Sequence, residues 1–204
     1  LFKPKKDLIK KYKKINVKVI SPDFKINNLR QPNISKIKYL FAIPLLKKTI
    51  KDFKPNILHA HYASSYGILG YLSKFKPFIL SVWGSDIYHF PNKNLLNKFI
   101  LGLVIKNSDK ICSTSFAMKK IIEDEYKRFD VELISFGVDL ELFKPVDYKK
   151  NFIVGTVKSI ESHNGIDCLI DAAKLVIFNY KKDINFLIVG DGLLKKEMQQ
   201  KAKD

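Results

Sequence analysis

Two histidines, His59 and His61, stand two residues apart and therefore project from the same face of any extended segment that holds them. That spacing suits a metal pair, or a side chain that binds substrate and handles a proton. A metal needs a third ligand, and His89, His163 and Asp86 lack ligand-like spacing to supply it. His59 reads as a buried, hydrogen-bonded structural residue, and His61, nearer the loop, as the candidate for function. Further along, Trp83-Gly84-Ser85-Asp86 follows an apolar run. Its glycine would let a substrate approach the backbone, and Ser85 and Asp86 offer a hydroxyl and a carboxylate suited to sugar hydroxyls. The same four residues also fit an Asp-Ser turn beside a half-buried Trp.

A second group is suited to anions. Gly190-Asp191-Gly192 lies where a strand runs into a helix, so free backbone N–H groups there could meet a phosphate; a plain strand-to-helix turn has the same pattern. Lys195 stands where a dinucleotide fingerprint would have its third glycine, which argues against a nicotinamide or flavin. Lys158, just after an apolar run, could face a diphosphate or be one more surface lysine. Asn164 and Asp167 fit a helix cap and a first-turn carboxylate. No Asp-x-Asp pair, Gly-x-Ser-x-Gly elbow or Gly-Lys-Ser/Thr phosphate loop occurs. Cys112 and Cys168 are isolated, so neither a disulfide framework nor a zinc knuckle is implied.

The elements that must carry these residues alternate. Strands are expected over 15–20, 57–60, 78–82, 110–112, 131–136, 152–157 and 184–189, from short β-branched or apolar runs bounded by turn residues. Helices are expected over 35–53, interrupted at Pro44, and over 66–75, 94–107, 116–128 and 165–180, with Ser115 as an N-cap. Strands alternating with helices predict an α/β, doubly wound parallel sheet whose sites lie at the carboxyl ends of its strands. Residues 136–150, rich in turn and polar types, read as a connector. They divide the chain into a first domain over 1–144 and a second over 145–204.

Composition narrows the function. The chain has 204 residues, 46% of them hydrophobic, and 37 Lys and Arg against 20 Asp and Glu, a formal net charge of +17. That suits a folded protein. The longest uncharged apolar run, near residues 99–105, is far short of the ~20 residues a membrane-spanning helix needs. Nothing at the N-terminus marks the chain for secretion, and it reads as cytosolic. Residues 1–55 hold 16 Lys or Arg against 3 Asp or Glu. Only Arg30 and Arg128 are arginines, and a Lys-rich face fits diffuse attraction to acidic lipid headgroups better than base readout. No nucleic-acid-binding signature is present.

Taken in order, His59-Ala60-His61, Ser81-Val82-Trp83-Gly84-Ser85-Asp86, Cys112-Ser113-Thr114-Ser115, Phe136-Gly137-Val138-Asp139 and Phe143-Lys144-Pro145 resemble family-4 retaining glycosyltransferases. Gly155-Thr156-Val157-Lys158, Asn164-Gly165-Ile166-Asp167 and Val189-Gly190-Asp191-Gly192 are similar to the opening of that family's donor domain. The resemblance implies a GT-B fold, two Rossmann-like domains, here without the first strand and Gly-rich loop of domain 1 and most of domain 2. It implies transfer of a sugar from a nucleotide-diphosphate sugar to a sugar or lipid-linked acceptor with retention, in cell-surface polysaccharide or glycolipid synthesis, without a metal or other cofactor. By the same resemblance, His61 and Asp86 would be catalytic and Trp83, Gly84 and Ser85 would bind the acceptor. Lys158, Asn164, Gly165, Gly190, Asp191 and Gly192 would bind the donor. Trp83 departs from the His that many relatives carry before Gly-Ser-Asp. Ser159 and Asn164 replace the usual diphosphate-binding Arg and Lys. The alternatives are a non-catalytic basic module that binds anions or a membrane surface, or another Rossmann-like sugar-nucleotide enzyme such as an epimerase.

Overall fold

The structure is a computed structural model that describes residues 12, 17–20, 39–145, 152–181 and 184–203. It divides into two compact units, Leu1–Gly137 and Val138–Asp204. The expected turn at residues 21–23, the polar stretch 147–150 and most of the basic first segment lie outside the described residues.

The first unit begins, among its described elements, with a 3-10 turn over 39–42 that leads into α1, Ile43–Phe53. Pro44 sits in the first turn of α1 and does not interrupt it, because a proline there gives up an N–H that has no intrahelical partner anyway. Lys54, in the left-handed region, ends it. Then follow β1 (Leu58–His61), a π-helical turn (Ala63–Gly67) running into α2 (Ile68–Ser73), and β2 (Phe78–Val82). Next come α3 (Ser85–Tyr88), α4 (Leu95–Asn107), β3 (Lys110–Ser113), α5 (Phe116–Tyr126) and β4 (Val131–Leu133). Asn94 and Ser115 cap α4 and α5 by accepting from the N–H groups of Asn97 and Met118. Two expected strands come out differently. Residues 17–20, the described part of the expected strand 15–20, form no strand, and β4 ends at Leu133, three residues early.

The four strands are parallel in the order β1-β2-β3-β4. Successive right-handed crossovers stepping in one direction must place their helices on one face of the sheet. The core confirms this. The register aligns Ala60, Leu80, Ile111 and Val131 across the sheet. These side chains are buried with Leu101, Val104 and Ile105 of α4 and Met118 and Ile122 of α5. Each such aliphatic side chain, fully buried, stabilises the unit by about 2 kcal/mol. The opposite face carries the row His61, Ser81, Cys112 and Glu132, and Glu132 pairs with Lys110 at 2.8 Å.

In the second unit β5 (Ile153–Val157) and β6 (Asn185–Val189) are parallel partners, with α6 (Ile166–Lys174), a π turn (Leu175–Asn179) and α7 (Lys195–Lys201) beside them. Its core is small: Ile160, Ile166, Ile170 and Met198, with Ile188 and Leu194 against them.

Candidate functional site

The carboxyl ends of β1 and β2 present the first group of candidate residues. Asp86, in the first turn of α3, is completely buried. One of its oxygens accepts from the backbone N–H of Ala63 at 2.7 Å, the other from Gly84 at 2.8 Å and Trp83 at 3.1 Å. A carboxylate needs such partners to be buried at all. Asp86 therefore ties the loop after β1 to the loop after β2. The carboxylate expected to react is thus occupied here by main-chain donors, with no exposed oxygen. Gly84 is also explained locally. Its φ of 141° lies where side chains are strained, whereas a Cβ there would meet nothing within 4 Å. The backbone angle by itself requires glycine at 84.

Tyr62 joins the two loops a second time. Its N–H donates to the Ser81 carbonyl at 2.8 Å, and its hydroxyl lies 2.5 Å from the Ser85 Oγ. It does so at φ 84°, a costly conformation for a bulky residue that clusters at functional sites.

On this support stands a row of rings. His59 and His61 lie 4.1 Å apart between centroids, His61 lies 5.5 Å from Trp83, and Trp83 lies 5.4 Å from Phe136 in an edge-on arrangement. Trp83 is 47% and Phe136 65% exposed. His59 differs from expectation. It is exposed, on the face opposite buried Ala60, although its Nε2 is 2.8 Å from Ser81 Oγ. Partial desolvation and, secondarily, the neighbouring His61 lower the His59 pKa from its ordinary value. The row can stack on the apolar face of a ring, and His61 adds a group able to exchange a proton.

The second unit gathers the anion-binding candidates at its own strand ends. Lys158 follows β5 and Gly190 follows β6, joined through the Lys158 N–H donating to the Val189 carbonyl at 3.0 Å. The two glycines answer a packing demand. A Cβ at Gly190 would sit 1.9 Å from the Lys158 carbonyl oxygen, and one at Gly192 would sit 2.3 Å from that of Ile160. Asn164 does not cap α6. Its amide donates to the carbonyl and the hydroxyl of Ser159 at 2.9 and 2.8 Å, and Gly165, at φ 64°, stands at the cap position. Asp167 lies in the first turn as expected. Asp191 Oδ1 accepts from Gly192 N–H at 3.0 Å and lies 3.5 Å from the Lys195 ammonium. Lys158 is exposed. A cavity of about 400 Å³ in this unit lies elsewhere, among Leu169, Ala173, Phe178 and Phe186. Among the described residues no cluster of three or more His, Cys, Asp or Glu side chains could hold a metal ion, and no helix is long and apolar enough to cross a membrane.

Reading the sequence missed Tyr62, Ala63 and Phe136 as parts of the first group. Positive φ at a tyrosine and an amide bonded to a distant carboxylate leave no sequence signal. Phe136 had one, its place in the Phe-Gly-Val-Asp block.

Comparison with known proteins gives the family and the fold. Residues 4–115 match the family model described as Glycosyl transferase 4-like. The chain is 29% identical over 208 residues to an uncharacterized glycosyltransferase of Methanocaldococcus jannaschii, covering 95% of this chain and 56% of that protein. It thus spans about half the length of the curated relative it matches. Among solved structures, a protein of Listeria monocytogenes described as a UDP-N-acetylglucosamine 2-epimerase superposes with a TM-score of 0.53 at 13% identity, over 97% of this chain and 55% of that one. That likeness carries the fold alone, the parallel α/β architecture of GT-B type expected from the sequence.

Proposed function

Because the chain belongs to the Glycosyl transferase 4-like family, we propose that the whole protein transfers a sugar from a nucleotide-diphosphate sugar to a sugar or lipid-linked acceptor. The transfer retains anomeric configuration, needs no metal, and serves cell-surface polysaccharide or glycolipid synthesis on the cytoplasmic side of the membrane. The observation that carries the reading is the ring row on its Asp86 and Tyr62 support, at the strand ends where an open α/β sheet binds ligands, inside the stretch the family model covers.

In this reading Trp83 and Phe136 receive the acceptor, with Gly84 and Ser85 shaping the loop beside it. His61, whose ring lies against Trp83, is the group within reach of the acceptor hydroxyl and its proton. Asp86 holds both loops. As the bond to the donor sugar breaks, negative charge grows on the departing diphosphate. A cation and backbone N–H groups aimed at it lower the barrier. Lys158 is the cation, the start of α6 at Gly165 offers N–H groups, and Asn164, Gly190, Asp191 and Gly192 build the turn around them.

The test uses the complete protein encoded by the gene, offered uridine, guanosine and adenosine diphosphate sugars with a chelator present. Release of one nucleoside diphosphate in the presence of acceptor, cut at least about 100-fold by His61→Ala, is expected. Conversion of the donor to its epimer without release would overturn the reading in favour of the epimerase alternative. Failure to bind any donor would overturn it in favour of a binding module.

A further inference from the structure

His61 is exposed at the end of β1 and has no hydrogen bond among the described residues. Left to itself such a side chain samples several rotamers, whereas a group that takes a proton must be held within reach of it. Packing holds it here. Its ring lies 4.1 Å from that of His59, tilted by 36°, and 5.5 Å from that of Trp83. His59 is itself tied down. Its Nε2 shares a hydrogen bond of 2.8 Å with the hydroxyl of Ser81, a residue only 7% exposed on the inner strand β2. Alternation sets both histidines on one face of β1, and the register sets Ser81 opposite His61. Restraint therefore passes from the sheet through Ser81 and His59 to His61.

The same contact carries a condition on charge. As the acceptor oxygen bonds to the sugar carbon and the bond to the diphosphate breaks, the acceptor proton passes to a ring nitrogen of His61 and the electron pair leaves with the diphosphate. The imidazolium so formed stands 4.1 Å from the His59 ring, and a second positive charge there would oppose it. Desolvation of His59, and after it the neighbouring His61, favour an uncharged His59. Among the described residues the other titratable groups around the pair are already engaged. Asp86 of α3 is occupied by backbone N–H groups, Glu132 of β4 pairs with Lys110 of β3, the Tyr62 hydroxyl meets Ser85, and Cys112 lies buried beside Ser81 in the row.

We propose that His59 is a positioning residue of the transfer: stacked on His61 and anchored to Ser81, it fixes the ring that receives the acceptor proton and, by staying uncharged, leaves the pair room for that one proton. The inference rests on the transfer reading above and deepens it, since it gives the first histidine of the His-Ala-His block a part in the reaction as well as in the sheet.

The experiment first follows the imidazole Cε1–H resonances of the complete protein against pH, with neither donor nor acceptor. In the unmodified protein the His59 and His61 curves should each carry both protonation steps, the mark of a coupled pair, and in His59→Asn the His61 curve should reduce to one step. Transfer is then measured with the donor that the assay above identifies. His59→Ala should lower kcat about tenfold while the acceptor KM stays within about twofold, because Trp83 and Phe136 still receive the acceptor. His59→Asn, whose amide can meet the Ser81 hydroxyl without a second charge, should recover part of the loss. Ser81→Ala added to His59→Ala should cost no more than His59→Ala alone. Independent single-step curves in the unmodified protein, additive losses, or a loss carried by KM and not kcat would overturn the proposal. Coupled curves with an unchanged kcat in His59→Ala would overturn it alone, whereas unchanged transfer in His61→Ala would overturn the part given to His61 above and this inference with it.

Discussion

The two units use the same β-α-β grammar, with opposite degrees of closure. In the first, four strands share one helical layer, and the middle strand β2 is buried along nearly its whole length. In the second, both strands alternate exposed and half-buried residues, and Val157 remains 81% exposed. Parallel strands earn stability when helices cover them, and two strands offer too little surface for one core. The difference teaches where each unit keeps its precision. The first holds its loops with a buried charge network above a large core. The second holds its loops by backbone-to-backbone contact at Gly190 and Gly192, which needs little core.

That contrast can be broken in order of expected effect. Asp86→Ala leaves three N–H groups, that of Ala63 buried and those of Trp83 and Gly84 partly so, without their acceptor, and should cost the first unit about 3 kcal/mol, read as a fall in the midpoint of urea unfolding. A loss under about 1 kcal/mol would mean that the loops are held otherwise. Gly190→Ala should cost about 2 kcal/mol, confined to the second unit, because its Cβ would overlap the Lys158 carbonyl. Equal loss of exchange protection in β2 and β5 of that variant would erase the distinction between units. In the unmodified protein, amides of Leu80 and Ile111 should outlast those of β5 and β6 in hydrogen exchange. The smallest effect is pH-dependent. With its pKa lowered in the folded state, His59 binds a proton more readily when unfolded, so stability is full above about pH 6.5 and declines as pH falls through the lowered value. His59→Gln should flatten that slope, and an unaltered slope would show that another group sets it.

The order of elements was legible because apolar runs, Asn94, Ser115 and the prolines mark them locally. Boundaries were less so. β4 stops at Leu133 and residues 17–20 show no strand among the described residues, since pairing depends on neighbours and not on alternation alone. For the site, the sequence placed His61 and Trp83 at adjacent strand ends, where their rings do meet. It could not show that Asp86 is held by three main-chain amides, because that depends on which distant amides point at it. Nor could it show the close backbone packing that Gly190 and Gly192 permit, because that depends on where residues 158 and 160 pass.

The Asp86 network is made wholly of main-chain donors, with no partner side chain among its bonds. The wiring of the loops is therefore indifferent to what residue 83 displays to solvent. Position 83 can exchange an imidazole for an indole, or the reverse, while the loop beneath keeps its course. A fold wired this way can change what it recognises by single substitutions without first rebuilding its frame, which is the property a lineage needs when it diversifies its substrates.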